Sequence, residues 1–240
     1  MNMEDAPLFR ALRGEQVHEM EMVVAPKDGD PRLLRASGRP ILTADGSTLG
    51  AVVAMHDITD RKRAQDQLTY QALHDPLTGL ANRILLLDRA GHALELSERH
   101  SSTIAVLFLN LDNFKAINDG FGREFGDQVL KEVASRLMAE LRTSDTASRL
   151  GGETLARVGG DEFVVLCEGV RTEEDGLRIA EPLRSALAIP FTLSGIELKV
   201  TASIGITFPS GPTADAGSLI RLDLALSAAP QRGWGAETSA

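Results

Sequence analysis

Apolar and polar positions alternate in short bursts over the first sixty residues and then settle into longer periods. Val23-Val24-Ala25 runs into the turn-forming cluster Pro26-Lys27-Asp28-Gly29-Asp30, which predicts a connection between two strands. Leu33 to Arg39 and Ile41 to Thr43 continue as strand, the turn Ala44-Asp45-Gly46-Ser47 interrupts, and Leu49 to Met55 supplies a third strand. Asp-Gly between apolar runs is a strong hairpin signal. One helical turn precedes this meander, and the whole makes a thin core, marginal for a unit of about sixty residues. From Asp60 to Ala72 good helix formers run without Gly or Pro, with Thr59 or Asp60 available as N-cap. Ala64, Leu68 and Ala72 fall four apart on one face of that helix. The stripe reads equally as a solvated connector and as a short coiled-coil relay between two domains.

Beyond Leu73 the periods lengthen. Ile84 to Arg99 is helical, Thr103 to Leu111 is an apolar β run, and Gly126 to Leu141 is an amphipathic helix with Val129, Leu130, Val133, Leu137 and Leu141 on one face. Phe163 to Leu166 predicts a strand, Glu173 to Ala188 a helix, and Lys199 to Ile206 a further strand. Strands interleaved with helices argue an α/β or α+β sandwich in which helices cover a sheet.

Composition bounds the function classes. The chain has 240 residues, 43% hydrophobic and 25% charged, which is ordinary globular usage with room for one large domain or two small ones. Acidic residues outnumber basic ones 34 to 25, a formal charge of −9, which argues against sequence-independent nucleic-acid binding. A single cysteine, Cys167, excludes an internal disulfide and any multi-cysteine zinc site; on an apolar strand it reads as core packing. The histidines show no metal-ligand spacing. The longest apolar runs fall well short of the ~20 residues of a membrane helix, and Met1-Asn2-Met3-Glu4-Asp5 does not resemble a signal peptide. The expectation is a soluble cytoplasmic protein with no membrane segment and no nucleic-acid partner.

Two segments carry candidate chemistry. Asn110-Leu111-Asp112-Asn113-Phe114-Lys115-Ala116-Ile117-Asn118-Asp119 clusters polar groups at the C-terminal end of an apolar strand, where α/β folds commonly place ligand sites. Arg157-Val158-Gly159-Gly160-Asp161-Glu162-Phe163 turns into a strand; paired glycines let backbone approach a phosphate, and adjacent carboxylates can hold the magnesium that phosphates carry. By spacing alone the same four residues also read as a plain hairpin turn.

At these residues the chain resembles the GGDEF domain of the diguanylate cyclase family. Gly159-Gly160-Asp161-Glu162-Phe163 spells the signature, and Asp75-Pro76-Leu77-Thr78-Gly79-Leu80-Ala81-Asn82-Arg83 resembles the opening motif. Phe114-Lys115, Asn118-Asp119 and Gly126-Asp127 stand at family spacing, and Thr201-Ala202-Ser203-Ile204-Gly205 resembles the late strand. The likeness covers Leu73 to Trp234. Upstream, Asp57-Ile58-Thr59-Asp60-Arg61-Lys62 after a meander resembles the end of a PAS sensor domain whose ligand-walling early part is missing, so ligand sensing is not expected. The organisation implied is a partial PAS domain at 1–60, a linking helix at 61–74, a GGDEF domain at 75–234 and a tail at 235–240. The fold implied is α+β, a nucleotidyl-cyclase-like sandwich with a central, mainly antiparallel sheet flanked by helices.

The resemblance implies that two GTP molecules are joined into cyclic di-GMP with release of pyrophosphate, each domain of a homodimer presenting one GTP. By position, Asp161 would ligate magnesium or manganese and help deprotonate the attacking hydroxyl, with Glu162 beside it. Leu111 would offer its carbonyl to the metal, and Lys115 would stabilise phosphate charge. Asn118 and Asp127 would read the guanine edge, with Phe114, Gly159 and Gly160 lining the substrate. Where the family carries a metal-binding Asp, eight residues before Asn118, this chain has Asn110; an amide weakens a magnesium site, and Asp112, on the same strand face, is a candidate substitute. Arg123 replaces the usual His, a change that reads either as harmless or as an additional cation for phosphate.

Other departures set an alternative. In Leu222 to Trp234 the family's phosphate-contacting Lys is Pro230 and its Arg falls on Trp234, leaving Arg232 as the nearby cation. Arg142-Thr143-Ser144-Asp145 resembles the product-inhibition motif of Arg142 and Asp145. Its spacing is correct to Gly151 but eight residues too long to Gly159, because Arg149-Leu150-Gly151-Gly152-Glu153-Thr154-Leu155 nearly repeats the signature. The signature hairpin is assigned to the second copy, which continues as Phe163-Val164-Val165-Leu166. The leading reading is a diguanylate cyclase, weakened or silenced through Asn110 and Pro230. The alternative is a degenerate domain that binds GTP or cyclic di-GMP as a receptor or dimerisation module, and a third is a scaffold or a fragment of a longer sensor.

Overall fold

Pro7, whose fixed φ suits a first helical turn, starts α1 (Pro7–Leu12), and three strands follow: β1 (Val17–Val24), β2 (Arg32–Leu42) and β3 (Thr48–Asp57). The computed structural model describes residues 5–26, 29–100, 103–143, 153–170 and 172–208, and the chain divides into two units, Met1–Tyr70 and Gln71–Ala240.

The first unit is an antiparallel sheet in the order β1-β2-β3. Ala36 and Gly38 lie opposite Met55 and Val53 on the face covered by Ala11 of α1; a Cβ on Gly38 would stand 3.0 Å from Val53 Cγ2 and 3.3 Å from the Ala11 Cβ. The opposite face carries Glu21, Arg35 and His56 in one cross-strand row, with Arg35 Nη2 donating to Glu21 Oε1 at 2.8 Å. Arg39 to Leu42 pair with β3 alone, so the N–H that Pro40 lacks removes no ladder bond. α2 (Thr59–Leu73) starts where the Asp57 carboxylate accepts from the Thr59 amide at 3.0 Å, so the capping side chain is Asp57 rather than Thr59 or Asp60. No residue of α2 is buried.

The second unit is built on a four-stranded antiparallel sheet in the order β5-β6-β4-β9: β4 (Thr103–Leu111), β5 (Glu153–Gly159), β6 (Glu162–Val170) and β9 (Ala202–Thr207). β4 is central and covered on both faces, which is why its sequence is continuously apolar rather than alternating. Ala105, Leu107, Leu109 and Leu111 enter one core together with α4 (Phe114–Phe121), α5 (Arg123–Thr143) and α6 (Glu173–Ala188). Ile104 and Val106 enter the other, against Leu86, Ala90 and Ala93 of α3 (Arg83–His100). The expected face of α5 is buried throughout, Val129, Val133 and Leu137 completely. Asn82 Oδ1 accepts from the amides of Ile84 and Leu85 to cap α3, and Thr172 with Asp175 forms a capping box on α6.

Two differences from the hydrophobic pattern have local causes. A short hairpin, β7 (Phe191–Leu193) and β8 (Ile196–Leu198), turns on Ser194 and Gly195, both at positive φ. The late strand starts at Ala202 rather than Lys199, because its partner β4 ends at Leu111 opposite Ala202. Among the described residues no helix is long and apolar enough to cross a membrane.

Candidate active site

The end of β4 carries Asn110 between two neighbours, directly opposite Glu162 on β6 and Ser203 on β9. Residues directly opposite in an antiparallel ladder share a face, so a carboxylate, an amide and a hydroxyl form one row across the sheet. Gly160 and Asp161 make the turn between β5 and β6, and the Asp161 carbonyl accepts from the Leu111 amide at 3.2 Å, laying the signature turn against the end of β4. Gly159 stands close to the carboxylate here: a Cβ would lie 3.0 Å from Glu162 Oε2. Leu111 has its side chain in the core at 1% exposure, which leaves only its backbone to act as a ligand.

The donor set of Asp161, Glu162, the Asn110 amide oxygen and the Leu111 carbonyl is all oxygen, the chemistry of a hard cation. Among the described residues no three Asp, Glu, His or Cys side chains cluster closely enough to hold a metal by themselves. An all-oxygen set of this kind suits magnesium or manganese held together with substrate phosphates and water. The Asp112 carboxylate accepts from Thr201 Oγ1 at 2.6 Å and from Ser203 Oγ of the same row at 2.7 Å, and its amide donates to the Thr201 carbonyl at 2.9 Å.

A second group follows on α4 and α5. Asn113 enters α4 in the left-handed region, φ 58°, and Lys115 stands exposed on the first turn. The Phe114 ring is buried, so its backbone alone is left to face a ligand. Gly122 at φ 86° separates the two helices, and α5 begins with exposed Arg123. Asn118 lies flat against Gly126; an added Cβ would come 1.9 Å from Asn118 Oδ1 and 3.2 Å from Phe114 Cζ. The absent side chain at Gly126 thus lets Asn118 approach the helix turn that presents exposed Asp127.

One residue pair escaped sequence reasoning as a contact. Arg157 donates from Nε and Nη2 to the Gly160 carbonyl at 3.0 and 2.7 Å and from Nη1 to Asp75. Both residues stood in quoted motifs, and only their separation hid the bond. Arg142 is exposed on the last turn of α5. Asp145, Gly151, Pro230, Arg232 and Trp234 lie outside the described residues.

Residues 72–156 and 153–235 match the family described as "Diguanylate cyclase, GGDEF domain", the two stretches meeting inside the near-repeat, and residues 4–63 match the PAS fold. The chain is 43% identical over 153 residues to the bifunctional diguanylate cyclase/cyclic di-GMP phosphodiesterase MucR of Pseudomonas aeruginosa, covering 64% of this chain and 21% of MucR. It is 32% identical over 232 residues to the probable diguanylate cyclase DgcE of Escherichia coli, covering 96% of this chain and 20% of DgcE. The chain therefore spans about a fifth of the length of these relatives. The crystal structure of the coiled coil and GGDEF domain of DgcB from Caulobacter crescentus, in complex with c-di-GMP, superposes with a TM-score of 0.59 at 26% identity, covering 71% of this chain and 87% of that one.

Proposed function

The chain belongs to the GGDEF-domain family, and from that premise we propose that it is a diguanylate cyclase that condenses two GTP into cyclic di-GMP with release of two pyrophosphates. The observation that carries this reading is the meeting of the Asp161–Glu162 turn with the end of β4 through the bond from the Leu111 amide to the Asp161 carbonyl. In each half-reaction the 3′-oxygen of one GTP attacks the α-phosphorus of the other, and the bond to pyrophosphate breaks. Asp161 accepts the hydroxyl proton, Glu162 and the Leu111 carbonyl would hold the divalent cation, and Lys115 faces the developing phosphate charge. Asn118 and Asp127 pair with the guanine edge, Gly159 and Gly160 let the turn approach the phosphates, and Arg123 adds positive charge. A bound magnesium or manganese ion supplies charge neutralisation at the phosphates. Because each domain holds one GTP, turnover requires a homodimer; the setting is the cytoplasm, where GTP is available.

The test is direct. Purified protein with magnesium and GTP is expected to yield cyclic di-GMP, and Asp161→Ala to abolish it. A second reading, a receptor that binds GTP or cyclic di-GMP without turnover, is favoured by Asn110, which removes one negative charge from the row. Nucleotide binding with no product under magnesium or manganese would replace the first reading with the second.

A further inference from the structure

Asn110 leaves its row one carboxylate short, yet a carboxylate, Asp112, stands two residues on and is bonded to that row. Ser203, directly opposite Asn110, commits its hydroxyl proton to Asp112 Oδ1 at 2.7 Å, and Thr201 commits its own to Oδ2 at 2.6 Å. An ionised carboxylate only accepts, so both protons are fixed on Asp112 and both hydroxyl oxygens are left with lone pairs alone. Ser203 and Thr201 are exposed, so those lone pairs meet solvent. Asp112 is tied to the same segment a third time, by its amide to the Thr201 carbonyl at 2.9 Å, which fixes the carboxylate rather than leaving it free to swing.

We propose that Asp112 is a positioning residue that acts through Ser203, turning that hydroxyl into a fixed acceptor for a water carried by the cation at Asn110. The proposal rests on the cyclase reading and adds to it a route by which this chain offsets its amide. Magnesium and manganese sites of this kind retain several waters, and a cation's waters are strong donors that need acceptors. Without Asp112 the Ser203 hydroxyl rotates freely and presents its proton as readily as its lone pairs. With Asp112 it presents lone pairs only, and the carboxylate's charge strengthens them. Asp112 reaches the site as a partner of Ser203 rather than as a direct ligand, because both of its carboxylate oxygens already accept from Ser203 and Thr201.

The test is Mn2+ binding to the full chain, read by the electron paramagnetic resonance of free Mn2+, with GTP turnover and thermal melting measured on the same preparations. Asp112→Asn and Ser203→Ala are each expected to weaken Mn2+ about tenfold or more while melting stays near that of the native chain. The double variant is expected to be no weaker than the poorer single one, since both act on one route. Ser203→Thr, which keeps the hydroxyl on a strand-favouring side chain, is expected to hold native affinity. Native Mn2+ affinity in Asp112→Asn overturns the proposal, as does loss in Asp112→Asn with none in Ser203→Ala, which makes Asp112 a direct ligand. Losses that add in the double variant overturn it too. A native chain that binds no Mn2+ and turns over no GTP overturns the cyclase reading as well; one that does both, with Asp112→Asn binding unchanged, overturns this route alone.

Discussion

Arg157 and Asp75, 82 positions apart, form a nearly buried ion pair: Arg157 Nη1 stands 3.0 and 3.1 Å from the two carboxylate oxygens, with side chains 13% and 16% exposed. The other edge of the guanidinium grips the Gly160 carbonyl, and the Arg157 amide donates to Ala81 at 2.9 Å. The opening loop and the signature turn are therefore one hydrogen-bonded body. Lysine has no fork to hold both partners. Arg157→Lys is expected to destabilise the domain by about 1–3 kcal/mol and to lower turnover further by releasing the turn. Denaturant unfolding and product formation check this; native turnover in Arg157→Lys would show that the turn holds itself.

The same pair predicts a pH dependence. Burial pushes the Asp75 carboxyl up, but the hydroxyl and amide of Thr78, then Arg157, outweigh it and hold it below the usual range. A carboxyl lowered by folding contributes its full stability above the unfolded value, about 3.9, and loses it as pH falls through the folded value. Melting temperatures of the native chain and Asp75→Asn should differ at neutral pH and converge in acid. Convergence at high pH instead would contradict the pairing.

Gly126→Ala should uncouple recognition from folding. The new methyl group has no room beside Asn118 Oδ1 at 1.9 Å, so the amide must swing away. GTP affinity is expected to fall by about tenfold or more, near that of Asn118→Ala, as expected for loss of a polar contact of about 1.4 kcal/mol. Circular dichroism should remain native. Titration with a fluorescent GTP analogue decides it, and unchanged affinity would remove Asn118 from the guanine site.

What the sequence revealed follows from the range of the interactions involved. The apolar run of β4 and the amphipathic period of α5 are local patterns that burial enforces, so they were legible, as was the turn between β5 and β6. The β7–β8 hairpin was hidden because Ser194 and Gly195 make a turn without the usual Asn-Gly or Asp-Gly signal. Asp112 was legible as a residue on Asn110's face, but its partners Thr201 and Ser203 lie 89 and 91 positions away. No local pattern reports such a bond.

Cys167 offers a check on the central sheet. It is fully buried on β6, and burial, with the Glu153 carboxylate opposite, pushes its thiol far above the ordinary range. A thiol held protonated and inaccessible does not react. A disulfide reagent should therefore modify the native chain only as fast as the sheet opens, and modify the single thiol promptly in denaturant. Fast stoichiometric labelling of the native chain would place β6 at the surface.

Asn110→Asp tests the deficit directly. The aspartate would stand opposite Glu162 and Ser203, restoring a carboxylate to the row without changing its shape. Two outcomes compete: the added charge repels Glu162, or it draws a cation that both carboxylates share. With magnesium or manganese present the second should win, because a divalent ion offsets both charges at once. Mn2+ affinity is expected to rise about tenfold, a gain of about 1.4 kcal/mol, and cyclic di-GMP formation with it. Without metal the variant should melt below the native chain, since the two carboxylates then face each other unscreened. Tighter metal with unchanged turnover would move the limiting defect to the nucleotide contacts, and no gain in Mn2+ affinity would end the account that Asn110 weakens the site.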